Sequence, residues 1–205
     1  MNFIINQYKT AFSFVKSNIL KLFLISAGIF FLIMLISYFV FKQMPHVSES
    51  LMNYFAQMVD DSGIITQDGI NVYRLFANNM RATLIAIMMG FVPFLFLQTS
   101  FVLISNAVMV GAATEYSLSM GIGLTTYITA LLPHGIFELP AVFYSVGLSI
   151  YLCISLSKKL MGKELNFKTV TINVLRAYVL IAIPLLAIAA VIEAYLTPLL
   201  IGLTM

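Results

Sequence analysis

The amino-acid sequence predicts an all-α, polytopic membrane protein that forms a single membrane domain over residues 1–205. Of these residues, 61% are hydrophobic and only 9% are charged, against about a quarter charged in soluble globular domains. Several uncharged stretches also reach the roughly 20 residues that an α-helix needs to cross ~30 Å of hydrocarbon. A soluble fold is therefore excluded, because it would expose too much apolar surface to water.

The composition also limits the partners and cofactors. No basic run interleaved with aromatic residues occurs, which argues against nucleic-acid binding. The single cysteine, Cys153, excludes an internal disulfide framework and a cysteine-based zinc site. We predict no cofactor and no resident metal ion, and we expect the lipid bilayer and a protein to be the partners.

The first part of the chain predicts one span followed by an external connection. Apolar residues of the segment 1–21 recur at helical spacing, as in a cytoplasmic helix lying on the membrane surface, although a simple start to the first span fits nearly as well. The first span is predicted over residues 22–41. Residues 42–81 form the one long polar connection, which we interpret as two short amphipathic helices separated by a turn at residues 67–69.

Residues 82–157 are almost continuously apolar, so helix breakers divide them into spans 2–4. Pro93 and Gln98 separate a span at about 82–97 from one at about 100–117. A proline and a glycine interrupt the next apolar run, so the segment 124–135 predicts a re-entrant half-helix. A full span over residues 137–157 follows.

The rest of the chain predicts a basic cytoplasmic linker at 158–169 and a fifth span with a C-terminal tail over 170–205, interrupted by Pro184 and Pro198. Lysine and arginine are enriched in cytoplasmic loops, and lysines precede span 1 and fill the linker. The acidic residues of the 42–81 connection indicate an external location; they are Glu49, Asp60, Asp61 and Asp68. We therefore predict five spans in a bacterial cell membrane, with the N-terminus cytoplasmic and the C-terminus external.

The stretch ALLPHGIFELPAVF places helix breakers and two ionisable residues inside this apolar region. His134 and Glu138 are four residues apart and would share one face of a helix. Pro133 suits the first turn of a helix, and Gly135 permits a close backbone approach. A carboxylate in hydrocarbon costs roughly 3 kcal/mol on insertion scales. Glu138 therefore needs compensation from His134, a helix N-terminus, a water-filled cavity or a cation such as Arg176.

Two interpretations of this cluster remain open. It either lines a functional polar cavity near the outer leaflet or has a structural role, in which it holds a re-entrant segment against the neighbouring helices. Glu193, in the last apolar segment, falls at a similar depth and could share the same vestibule, or could simply reach water. Asn106 is expected to form an interhelical hydrogen bond. The residues predicted to line the cavity are Pro133, His134, Gly135, Glu138, Pro140, Asn106, Glu193 and Pro198.

These features resemble the stage II sporulation protein M (SpoIIM) family of bacterial membrane proteins. The resemblance rests on LLPHGIFELPA at 131–141 and EAYLTP at 193–198, and its His-Gly-x-x-Glu core is the most specific part. It covers roughly residues 78–201, while the N-terminal 77 residues match only in layout. The weaker matching positions are Asn78, Asn79, Gly90, Asn106, Gly111 and Gly147.

The resemblance implies a non-enzymatic membrane subunit that acts with other proteins. The namesake of the family anchors peptidoglycan-degrading partners during engulfment in sporulation. Similar proteins occur in gene sets for circular bacteriocin biosynthesis, where they are thought to act with an ATPase in maturation or export. The expected partner is an ATPase, a peptidoglycan hydrolase or a second copy of the chain.

Two further functions stay open on the residues alone. An intramembrane hydrolase or ligase would use Glu138 as the base and His134 as its partner, so these two are the candidate catalytic residues. The sequence has no HExxH motif, and the other histidine, His46, lies in the external connection. A gated ion pathway for transport would use the same residues but would require a symmetric assembly.

Overall fold

The computed structural model describes residues 2–67, 69–95 and 97–203, so Met1, Asp68 of the connection predicted to be external, Phe96 and the last two residues lie outside it. The described chain is almost entirely helical, which confirms the predicted all-α class. The α-helices of this part are α1 (Asn2–Phe14), α2 (Leu20–Lys42), α3 (Pro45–Ser62), α4 (Val72–Met89), α5 (Phe101–Ser119), α6 (Leu124–Leu160), α7 (Phe167–Ala177), α8 (Ile183–Val191) and α9 (Thr197–Gly202).

Four helical stretches of the described chain are long and apolar enough to cross a membrane. They are Phe3–Lys42, Phe101–Ser119, Leu124–Leu160 and Phe167–Gly202. The first joins α1 to α2 through a π-helical turn, so α1 runs into the first span without a break. The last joins α7, α8 and α9 in the same way. These helices confirm the membrane-spanning architecture.

The second predicted span, at about 82–97, is wrong in its boundaries. The helix α4 begins already at Val72, where Asn71 caps it by accepting a hydrogen bond from the Arg74 backbone N–H at 3.1 Å. It therefore includes the second predicted amphipathic helix and the Asn78–Asn79 pair in its interior. The helix ends at Met89 with Gly90 as its C-cap, and Pro93, three residues further on, cannot continue it. Beyond it, the Phe94 N–H donates to Ser157 Oγ at 2.8 Å.

The predicted re-entrant half-helix at 124–135 is also wrong. The helix α6 runs unbroken from Leu124 to Leu160, with Pro133 and Pro140 both in its interior. Proline removes one backbone hydrogen bond and crowds the preceding turn. Membrane helices tolerate this where neighbouring helices cover the freed carbonyl group, and α6 is the most enclosed of the long helices.

Pro184 and Pro198 do not interrupt the last helix either. Each follows a five-residue π-helical segment, Tyr178–Ala182 and Ile192–Leu196, that ends two residues before the proline. A proline cannot bond to the carbonyl four residues earlier. A π-helical turn accommodates the mismatch because its N–H groups bond one residue further back, as Thr197 does to the Ile192 carbonyl.

The long helix α6 is the centre of the bundle. On one side it packs against α2 and α5, in a core that includes Phe30, Leu103 and Phe143. On the other side it packs against α4, α8 and the π-helical turn before α8, in a larger core that includes Ile87 and Leu186.

The connection predicted at 42–81 contains helix α3, a short hairpin and the first part of α4. Helix α3 follows α2 and packs against α5, where Ser48 donates a hydrogen bond to the Glu115 carboxylate. Both residues are buried. A short antiparallel hairpin then pairs Ile65 with Ile70 and Thr66 with Gly69. The centre of the predicted turn between these strands, Asp68, is outside the described residues.

Candidate functional site

Three ionisable side chains meet between α6 and the last helix. His134 and Glu138 lie one turn apart on α6, and Glu193 lies in the π-helical segment Ile192–Leu196. One nitrogen or oxygen atom of each residue can be chosen so that all three atoms lie within 4.8 Å of one another. All three side chains are half-buried. We call His134, Glu138 and Glu193 the polar triad.

Glu193 lies in a π-helical segment that precedes Pro198. A π-helical segment contains more residues per turn than an α-helix, so it changes the direction in which later side chains point. Glu193 is the second residue of such a segment, which ends just before Pro198. We infer that this proline helps to aim Glu193 at the face of α6 that carries His134 and Glu138.

Two buried side-chain atoms in the described chain have no hydrogen-bond partner, and both belong to this region. One is His134 Nδ1, and the other is the hydroxyl oxygen of Thr197, four residues after Glu193. Thr197 is only 6% exposed, and α9, which begins with it, packs against α6. Buried polar atoms are nearly always paired in proteins. Within the polar triad, His134 therefore keeps a ring nitrogen without a protein partner.

A cavity of about 530 Å³ opens beside two members of the triad. Its walls come from α2, α5 and α6 and are almost wholly apolar; they include Phe30, Met34 and Val110. His134 and Glu138 also line it and supply its ionisable groups. The polar triad thus lies at the edge of an apolar space of the size of a small-molecule pocket.

The structure brings together five of the eight residues predicted for a cavity. Gly135 and Pro140 line the cavity beside His134 and Glu138, and Glu193 joins the triad. Pro133, Asn106 and Pro198 are not among the residues that line this cavity. The Asn106 amide donates to the Val102 carbonyl of its own helix at 2.8 Å, which replaces the expected interhelical bond.

Two of the local explanations for the cluster need correction. Glu138 does not lie at a helix N-terminus, because α6 begins at Leu124, so no free backbone amides compensate its charge there. A Cβ atom at Gly135 would meet nothing within 4 Å, so this glycine does not serve a close backbone contact. It instead leaves space beside the cavity.

Arg176 does not compensate the charge of Glu138. Its guanidinium donates to Asn173 Oδ1 at 2.6 Å, within the same helix. The structure instead places the His134 imidazole beside both carboxylates. Glu138 thus lies beside a histidine one helical turn away and beside a second glutamate. The three side chains together form a set of possible metal ligands.

Sequence reasoning missed Thr197 and the close packing at three glycines. Thr197 lies four residues after Glu193, and this spacing could have indicated that the two side chains share one face of the helix. A Cβ at Gly90 or Gly111 would come within 2.6 Å of a backbone oxygen of a neighbouring helix, and one at Gly147 within 3.1 Å of Ile19. These glycines, first noted as weak matches to a family, are positions of close helix packing.

The arrangement allows two kinds of chemistry. An imidazole and two carboxylates can hold a divalent cation, because all three are ligands of transition metals in proteins. The same groups can pass or share a proton, as ionisable residues inside membranes commonly do. Both uses need access from the cavity or from the outer surface.

Comparison with known proteins gives one match. The family model of stage II sporulation protein M matches residues 11–198. The match extends well into the N-terminal region, where the motifs noted above are absent, and it ends at Pro198. Searches of curated proteins and of solved structures gave no match.

Proposed function

Because the chain belongs to the stage II sporulation protein M family, we propose that it is a multi-pass membrane subunit that works with a partner protein. The partner is an ATPase, in the export or maturation of a peptide such as a circular bacteriocin, or a cell-wall hydrolase, in envelope remodelling. The chain crosses the cell membrane five times, with the 18-residue helix α4 as the crossing beyond the four long helices, so that its N-terminus and the 158–169 linker are inside. Helix α3 and the C-terminus lie outside.

The polar triad is the observation that supports this role most directly. Ionisable residues inside membrane-spanning helices are rare and mark substrate paths and proton relays. Here they come from two helices that are separate in sequence, and the apolar cavity of about 530 Å³ borders two of them. Such a site suits an apolar peptide segment, whose side chains fill the cavity while its polar groups meet the triad.

The sequence supports a partner as the source of energy for export. It contains no GxxxxGK[ST] loop for binding nucleotide phosphates. The linker between α6 and α7 offers a basic, exposed docking surface, where Met161 is 66% exposed. On the predicted external side, Tyr54 of α3 is 62% exposed. The first surface would serve an ATPase and the second a wall hydrolase.

Site-specific photocrosslinking in host cells tests this proposal. A photoreactive amino acid is placed at Met161 or at Tyr54, with Leu32 in the middle of α2, 58% exposed, as the matched control. We expect an ATPase to crosslink from position 161, or a wall hydrolase from position 54, and neither from position 32. Equal labelling from all three positions, or no protein crosslinked from 161 and 54, would overturn the proposal.

The polar triad also favours a second candidate, an intramembrane hydrolase or ligase. Glu138 would act as the base and His134 as its partner, with Glu193 completing the site. Purified protein incubated with candidate precursor peptides would then show turnover. That turnover should be lost in Glu138→Gln and kept in the exposed control Glu49→Gln. No turnover by the unmodified protein would count against this candidate.

A further inference from the structure

We propose that His134, Glu138 and Glu193 bind a single divalent transition-metal ion of the zinc class. One ligand atom from each residue lies within 4.8 Å of the other two. Zinc binds nitrogen and oxygen ligands at about 2.0–2.2 Å, which sets the ligands of one ion roughly 3–4 Å apart. The largest separation in the triad thus exceeds this spacing by about 1 Å.

The donor set selects the class of metal. Imidazole nitrogen together with carboxylate oxygen suits zinc and its neighbours among the divalent transition metals. Calcium and magnesium prefer all-oxygen sites, and copper(I) prefers sulfur. Three protein ligands also leave a coordination position for water or a substrate group, as in non-structural zinc sites.

Charge gives an independent reason for a cation. Two carboxylates close together in an apolar bundle repel each other, and an uncompensated charge inside a membrane is costly. Arg176, the cation that the sequence suggested, is occupied with Asn173. A divalent cation would balance both glutamates.

An unpaired polar atom belongs to the polar triad itself. His134 Nδ1 is buried without a hydrogen-bond partner in the part of the chain that the structure describes, and so is the Thr197 hydroxyl. A histidine that binds a metal uses one ring nitrogen as the ligand and usually donates from the other. A bound ion would give the unpaired ring nitrogen of His134 a role, either as the ligand itself or as the nitrogen that donates to a neighbouring group.

The backbone holds the ligands in a fixed arrangement. His134 and Glu138 lie on one face of a continuous helix, and Glu193 approaches from a π-helical segment. Such segments are frequent at functional sites because they redirect a side chain without breaking the helix. The proposed metal site does not depend on the existence of a partner protein. A water molecule bound to the metal would be the nucleophile of the hydrolase candidate.

Metal titration of the purified protein tests the proposal without an activity assay. The full chain, carrying no histidine tag, is freed of metal with a chelator in detergent and titrated with Zn²⁺, and with Co²⁺ as a spectroscopic probe. We expect one ion per chain, visible Co²⁺ bands typical of nitrogen and oxygen ligands, and much weaker binding of Mg²⁺ and Ca²⁺. No stoichiometric Zn²⁺ binding by the unmodified protein would overturn the proposal.

Matched variants locate the ion. His134→Ala, Glu138→Gln and Glu193→Gln should each weaken Zn²⁺ binding by at least tenfold, whereas His46→Ala, at the exposed histidine of α3, should leave it unchanged. Gel filtration of each metal-free variant checks that it is folded; should His134→Ala fail, His134→Gln takes its place. Unchanged affinity in the folded triad variants, or loss of binding in His46→Ala alone, would show adventitious surface binding and overturn the proposal.

Discussion

Gly111 of α5 lies so close to α2 that a Cβ atom at this position would come within 2.6 Å of the Met34 carbonyl oxygen. Small residues let membrane helices approach in this way. We predict that Gly111→Ala lowers the free energy of unfolding by about 1–3 kcal/mol, because the two backbones must separate. The measurement is the midpoint of thermal or denaturant unfolding in detergent.

Gly28 provides the matched control for this prediction. It lies in α2, and a Cβ there would meet nothing within 4 Å. Gly28→Ala should therefore leave the free energy of unfolding unchanged or raise it by up to about 1 kcal/mol, since alanine favours the helix. Equal destabilisation by the two substitutions would contradict the proposed role of Gly111.

We predict that Ser48→Ala destabilises the contact between α3 and α5. Ser48 is fully buried and donates to Glu115, which is 5% exposed. Removing the hydroxyl leaves a buried carboxylate without this donor, a loss of about 1–3 kcal/mol. Hydrogen exchange should then show faster opening of α3.

The control for Ser48 is Ser50 on the same helix. Ser50 is exposed, and its hydroxyl donates to the His46 carbonyl one turn earlier. Ser50→Ala should change the free energy of opening of α3, measured by hydrogen exchange, by no more than a few tenths of a kcal/mol. Equal effects of the two substitutions would contradict a specific role for the buried contact.

The fold class could be predicted from the sequence because it depends on composition and on the length of apolar stretches. The divisions within the apolar region could not. Pro133, Pro184 and Pro198 are each predicted to interrupt a helix, yet all three lie in continuous helices. In water a proline ends a helix, but in a packed membrane bundle the surrounding helices and π-helical turns keep it intact.

The site was predicted in its chemistry but not in its geometry. The pair His134 and Glu138 could be found from their spacing alone, because residues four apart share a helix face. The approach of Glu193 depends on how α6 and the last helix pack, which no local pattern encodes. The prediction of Arg176 as a partner fails for the same reason, since its guanidinium donates to Asn173 of its own helix.

We predict that Pro198→Ala moves Glu193 away from His134. The substitution restores an N–H that can bond to the carbonyl of Ala194, so the π-helical segment Ile192–Leu196 should become α-helical. Cysteines at positions 134 and 193, in a Cys153→Ser background, should react together with a short bifunctional thiol reagent. The yield should fall severalfold when Pro198 is replaced.

Pro184→Ala is the control, because it changes the other π-helical segment, Tyr178–Ala182, well before Glu193. Its crosslinking yield should stay closer to that of the unmodified helix. A high yield in Pro198→Ala would show that packing, and not the proline, sets the direction of Glu193. A low yield in the starting protein would contradict the polar triad itself.

Metal binding to the polar triad should weaken as the solution is made more acidic. A metal ion binds deprotonated carboxylates and neutral imidazole, so protons compete for the same atoms. Zn²⁺ affinity should therefore fall steadily from slightly alkaline to acidic pH, and calorimetry in buffers of different ionisation enthalpy should detect protons released on binding. Glu193→Gln removes one competing group and should make this dependence shallower. An affinity that does not change with pH would mean that the ion binds elsewhere, through groups that do not titrate in this range.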